Sequence, residues 1–119
     1  MGKIIAFDLD DTLCYRPADV EHLGVDKYYH CKPIKEMIDL CNEMYDKGNT
    51  IVIYTARGMK TLDGKTDDIY GILYPITIQS LQEWGVKYHR LVMGKLHYDM
   101  LVDDKCMDLE TAKKKLRNL

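Results

Sequence analysis

The sequence predicts an α/β fold: a small three-layer sandwich around a mainly parallel sheet. Three observations carry this. Residues 3–7 and 50–54 are short apolar runs rich in Ile and Val, the pattern of strands buried in a sheet. Between them, Ile34, Met37, Ile38, Cys41, Met44 and Tyr45 recur at helical spacing. A strand–helix alternation then repeats, and strand, helix, strand in that order makes parallel neighbours.

Each element has a local reason. Asp8 ends the first strand. Pro33 suits the start of the first helix and Gly48 its end, ahead of the turn Lys47-Gly48-Asn49 and the strand at 50–54. Tyr74, Ile78, Leu81 and Trp84 mark one face of a second helix that stops near Gly85, with Pro75 in its first turn, where a missing N–H costs little. Residues 90–93 and 100–102 read as two further short strands. Asp108 suits the N-cap of a last helix through Leu109, Ala112 and Leu116, and the basic run 113–115 with Arg117 complements its C-terminal dipole. Residues 14–32 and 58–68 fit no regular element. Both leave from the carboxyl edge of the sheet, where open α/β sheets bind ligands, so both are expected to wall a site.

Length and composition narrow the class. A chain of 119 residues, 46% hydrophobic and 30% charged, has enough apolar matter for one core and reads as one domain over 1–119. The net charge of −2 disfavours a nucleic-acid partner that relies on bulk positive charge. The sequence holds no apolar run of membrane-spanning length, and the stretch after Lys3 is too short for a signal peptide. Cys14, Cys31, Cys41 and Cys106 form no Cys-x-x-Cys pair, so reduced thiols in a cytoplasmic protein without a zinc site are expected.

The chemistry concentrates at the strand ends. The first strand delivers Asp8-Leu9-Asp10-Asp11-Thr12, the second Thr55-Ala56-Arg57, and Gly94-Lys95 and Asp103-Asp104 flank the last. Carboxylates converging at one edge repel by about 4 kcal/mol per pair at ~4 Å and an effective dielectric near 20. They remain ionised only around positive charge. Hard oxygen ligands suit Mg²⁺, and Mg²⁺ with Lys95 would offset a phosphate dianion. In such a site Asp8 is placed to attack phosphorus and form an aspartyl-phosphate, and Asp10 to act as general acid and then base. Thr55 and Lys95 would hold the phosphoryl oxygens. Arg57 and His97 are further candidates for contacting substrate.

At these residues the chain resembles the haloacid dehalogenase (HAD) superfamily of phosphotransferases. The resemblance rests on Ile4-Ile5-Ala6-Phe7-Asp8-Leu9-Asp10-Asp11-Thr12, Ile51-Val52-Ile53-Tyr54-Thr55, Lys95, and Leu101-Val102-Asp103-Asp104, in that order. The segments Ile53-Tyr54-Thr55-Ala56-Arg57-Gly58-Met59 and Val92-Met93-Gly94-Lys95-Leu96-His97, with Val102-Asp103-Asp104-Lys105, look like a group of small phosphatases linked to bacterial capsule and surface-polysaccharide biosynthesis. The resemblance implies a Rossmann-like, HAD-like sheet and hydrolysis of a small phosphomonoester such as a sugar or polyol phosphate. It implies Asp8 as nucleophile and Asp10 as general acid/base. The implied Mg²⁺ ligands are the Asp8 carboxylate, the Asp10 carbonyl and Asp103, with Asp104 acting through water. Asp11 departs from the family, which often has Gly there. No inserted cap domain fits in the chain. Capless members close their site by forming homo-oligomers or act on large exposed substrates, and both readings stay open.

Two other classes compete. A receiver-like signalling domain has similar length and residue types, but its order of acidic pair, phospho-accepting Asp, Thr and Lys is not the order here. A catalytically silent interaction protein on the HAD scaffold would leave the full set of reactive residue types unexplained.

Overall fold

The computed structural model describes residues 2–119. Its framework is a three-stranded parallel sheet, in the spatial order β1 (Ile4–Phe7), β4 (Thr50–Thr55), β5 (Arg90–Met93). Register is fixed by Ile5 opposite Ile51, Phe7 opposite Ile53, Ile53 opposite Leu91 and Thr55 opposite Met93. These residues share one face. Along β4 and β5, Ile51, Ile53, Thr55, Leu91 and Met93 are buried, while Thr50 and Tyr54 are exposed. On β1, Ile4 is 78% exposed and Phe7 4%. The sheet therefore buries one face and leaves the other open, and strict alternation follows from the two-residue strand period.

The helices fill that buried side. Helix α1 (Lys35–Asp46) contributes Met37, Leu40, Cys41 and Met44 to the core. Pro33 does not start it: Lys32–Pro33 forms a short strand, β3, antiparallel to β2 (Cys14–Tyr15), and Ile34 is the N-cap. The short α2 (Thr66–Asp68) passes through a π-helical turn, Ile69–Leu73, into α3 (Tyr74–Glu83). Pro75 sits in the first turn of α3, and Ile69, Leu73, Ile76 and Leu81 are buried. Asp108 caps α4 (Leu109–Lys115), its carboxylate accepting from the Thr111 N–H at 2.7 Å. Arg117–Glu43 and Lys113–Glu36 ion pairs tie this terminal region to α1. Among the described residues, no helix is long and apolar enough to cross a membrane.

One expected element is not formed. Residues 100–102 are not a strand but part of an exposed run, with Met100 88% and Val102 99% exposed. The apolar triplet that suggested a buried strand has no strand partner, and β1 pairs only with β4 among the described residues.

Candidate functional site

A cleft of about 670 Å³ opens at the carboxyl end of the sheet. Both stretches expected to be irregular wall it. From the first, two 3-10 stretches within Ala18–His30, broken at Gly24, with the preceding Arg16, bring Arg16, Glu21, Lys27 and Tyr28; from the second come Gly58, Lys60 and Thr61. The strand ends supply Asp8, Asp10, Asp11 and Thr55, and His97 lies on the rim.

Asp8 follows β1 directly. Its Oδ1 accepts the Leu9 N–H at 2.8 Å, which orients the carboxylate, and Lys95 Nζ lies 3.8 Å from Oδ2. Burial pushes the Asp8 pKa up, against the pull of the Leu9 N–H and the Lys95 charge. Thr55 is buried, and its Oγ1 accepts the Arg57 N–H at 2.9 Å. The Thr55 carbonyl accepts the Lys95 N–H at 3.1 Å, so the backbones that carry these two residues are fastened together. Lys95 Nζ also lies 5.5 Å from the ring centres of Tyr54 and Tyr98.

Asp11 has a φ of 64°, in the left-handed region. Glycine enters that region freely, and Asp tolerates it better than most residues. The departure at Asp11 is thus compatible with the turn. The Asp8 side chain is accessible at 42%, whereas that of Asp10 is at 20%.

Asp10 is heavily engaged. Arg57 donates from Nε to Oδ2 at 3.0 Å and from Nη2 to Oδ1 at 2.8 Å, and Arg16 lies 3.3 Å from Oδ1. Burial pulls the Asp10 pKa up, but the Arg57 hydrogen bonds and the charges of Arg57 and Arg16 outweigh it and hold Asp10 below its usual range. The Arg57 side chain is fully buried, bonded also to Thr77 Oγ1 at 3.1 Å and stacked 4.9 Å from the Tyr28 ring centre. Arg57 was a candidate for contacting substrate. It lines the cleft, and its guanidinium also holds Asp10 and Thr77, since a buried Arg must satisfy its donors inside the protein.

Of the expected metal ligands, Asp8 and Asp10 share the cleft and the other two do not join them. Asp103 and Asp104 lie on the exposed run and do not line the cleft. Without a strand at 100–102, nothing delivers them to the sheet edge, and the Asp103 carboxylate accepts the nearby Lys105 N–H at 2.9 Å. Among the described residues, the group with ligand atoms within 4.8 Å of one another is Asp10, Cys14 and Cys31. Two sulfurs and a guanidinium-bound carboxylate do not fit a hard, oxygen-seeking Mg²⁺.

The structure thus brings Asp8, Asp10, Thr55, Arg57, Lys95 and His97 to one edge and leaves Asp103 and Asp104 outside. Arg16, Lys27, Lys60 and Thr61 were not singled out from the sequence. Their only signal was membership of the two stretches expected to wall the cleft.

Comparison with known proteins places the fold. A crystal structure of an MCSG target protein from Vibrio cholerae superposes with a TM-score of 0.80 at 28% identity, over 95% of this chain and 88% of that one. The likeness runs through nearly the whole of both chains and carries no activity with it. No family model matches the chain. No curated protein matches it either.

Proposed function

We propose that the protein is a capless HAD-type phosphatase that hydrolyses a small phosphomonoester through an aspartyl-phosphate. The observation that carries this reading is Asp8. It is a carboxylate with one oxygen oriented by a backbone N–H and the other 3.8 Å from Lys95, at the mouth of a cleft. Its pKa is raised by burial, and a more basic carboxylate is a stronger nucleophile once ionised. In the first step, an Asp8 oxygen bonds to phosphorus as the bond to the leaving oxygen breaks. Lys95 offsets charge on the phosphoryl oxygens, and the Thr55 hydroxyl, whose proton is not used by the Arg57 N–H bond, is available to donate to one of them. In the second step, water attacks phosphorus and Asp8 is released. Asp10 is held ionised by Arg57, the form a base needs to take the water's proton.

The HAD-like topology belongs to this proposal, as does Mg²⁺ dependence. The sequence resemblance supports the metal, and its site would need Asp103 nearer to Asp8 than the exposed run now holds it.

Turnover of p-nitrophenyl phosphate tests the reading. The protein releases p-nitrophenol, Asp8→Asn lowers the rate at least ~10³-fold while circular dichroism is unchanged, and EDTA silences activity that Mg²⁺ restores. Turnover by Asp8→Asn at the original rate would remove Asp8 as nucleophile. Asp103→Ala separates the metal from the nucleophile: lost turnover with unchanged folding supports the metal, and full turnover in EDTA overturns it.

A further inference from the structure

We propose that Cys14 and Cys31 are a redox-active dithiol, a modification site that closes to a disulfide at the base of the cleft wall. The two sulfurs lie within 4.8 Å of each other and of an Asp10 carboxylate oxygen. Arg57 Nη2 sits on both, 3.6 Å from Cys14 Sγ and 3.4 Å from Cys31 Sγ. Backbone register explains the meeting. Cys14 stands opposite Pro33 in the β2–β3 pair, so Cys31 is its diagonal neighbour on the same side of the ribbon. Residues seventeen apart in sequence are held together by two short strands before any covalent link exists.

The two thiols differ in access. Cys14 is buried with no exposed surface, and Cys31 is partly exposed. Oxidation by a peroxide therefore begins at Cys31. Its sulfur attacks a peroxide oxygen, the O–O bond breaks, and one water leaves with a sulfenic acid formed. The Cys14 sulfur then attacks the Cys31 sulfur. The S–S bond forms, the S–O bond breaks, and a second water carries off the Cys14 proton. Two thiols lose two electrons and one peroxide becomes two waters, so the balance closes with a peroxide as the sole oxidant.

The bond encloses the segment that carries Arg16, Glu21, Lys27 and Tyr28, all of which wall the cleft. It also draws both sulfurs to about 2.05 Å, off the Arg57 guanidinium that grips Asp10. Neither Cys41, buried and bonded to the Lys87 carbonyl, nor the exposed Cys106 belongs to this cluster.

The test is thiol mapping of the full chain, which needs no activity and so stands apart from the phosphatase reading. Protein treated with hydrogen peroxide is unfolded, alkylated with iodoacetamide and mapped by mass spectrometry without reductant. The expected result is loss of two of the four alkylatable thiols, one Cys14–Cys31 linked peptide pair two hydrogens lighter, and return of both thiols with dithiothreitol. Cys31→Ser, at the more exposed position, should abolish the linked pair and leave Cys14 alkylatable. Peroxide that over-oxidises Cys31 while Cys14 stays a free thiol would overturn the proposal. So would links confined to Cys106 of two chains.

Discussion

Arg57 and Asp10 form a two-pronged ion pair across 47 residues of sequence, joining the turn after β1 to the turn after β4. The fork of the guanidinium matches the two carboxylate oxygens, a geometry Lys cannot reproduce. Removing one partner leaves the other charged and buried. Arg57→Ala should cost about 3–5 kcal/mol in urea unfolding, and Arg57→Lys should recover only part of that. The pH dependence follows from the sign of the shift. Asp10 is held below its unfolded value, so its contribution is complete above the ordinary carboxylate range, about pH 4, and is lost as pH falls through its lower native pKa. Wild type and Arg57→Ala should therefore converge in stability in strong acid.

The same pair shapes catalysis under the proposed function. An Asp10 gripped by Arg57 resists protonation and is a weak general acid. Phosphomonoesters whose leaving groups need little protonation should react faster. A series of substituted phenyl phosphates should show rates that fall steeply as the leaving phenol becomes more basic, and a flat series would give Asp10 full acid strength in the first step.

Asp8 carries the opposite shift, with an opposite consequence. Burial raises its native pKa, so its contribution to stability is greatest in acid, below the unfolded value, and is lost as pH rises through the raised native one. At neutral pH the ionised carboxylate is a burden on the fold. Asp8→Asn should melt at a higher temperature than wild type at pH 7, and the gain should shrink as the buffer is taken below pH 4. A lower melting point at pH 7 would contradict this.

Gly58 sits in the left-handed region against the Leu73 side chain. Its φ is 83°, and a Cβ there would press on Leu73 Cδ1, which would have to shift. Its N–H donates to the Tyr28 hydroxyl at 3.2 Å, which ties the two walls of the cleft. Gly58→Ala should cost at least about 1–2 kcal/mol by chemical denaturation, from the left-handed backbone alone.

The parts legible in the sequence were those set by local rules. The strand at 50–54, the helix ending before Gly48, the Pro75 turn and the Asp108 cap each follow from neighbours a few residues away, and each is present. The two walls showed as stretches that fit no regular element, yet the first folds into β2 and 3-10 turns, whose short-range bonds leave no period to read. Long-range pairing was harder to read. Residues 100–102 have strand composition, but a strand needs a partner, and nothing in a triplet says whether one is met. The site divides in the same way. Asp8, Asp10 and Thr55 stand at strand ends, where position follows from topology. The role of Arg57 depends on which carboxylate, 47 residues away, reaches its fork. The Cys14–Cys31 meeting was hidden in a two-residue strand pair too short to announce itself by pattern.

The uncovered side of the sheet sets uneven rules for drift. Ile53 and Tyr54 are consecutive on one ribbon, yet Ile53 has no exposed surface and Tyr54 shows 40% of its own to water. Scored for folding, a saturation library across residues 50–55 should return a sawtooth: Glu or Lys accepted at 50 and 54, rejected at 51 and 53. The short first strand should echo it, with Ile4 permissive and Phe7 strict.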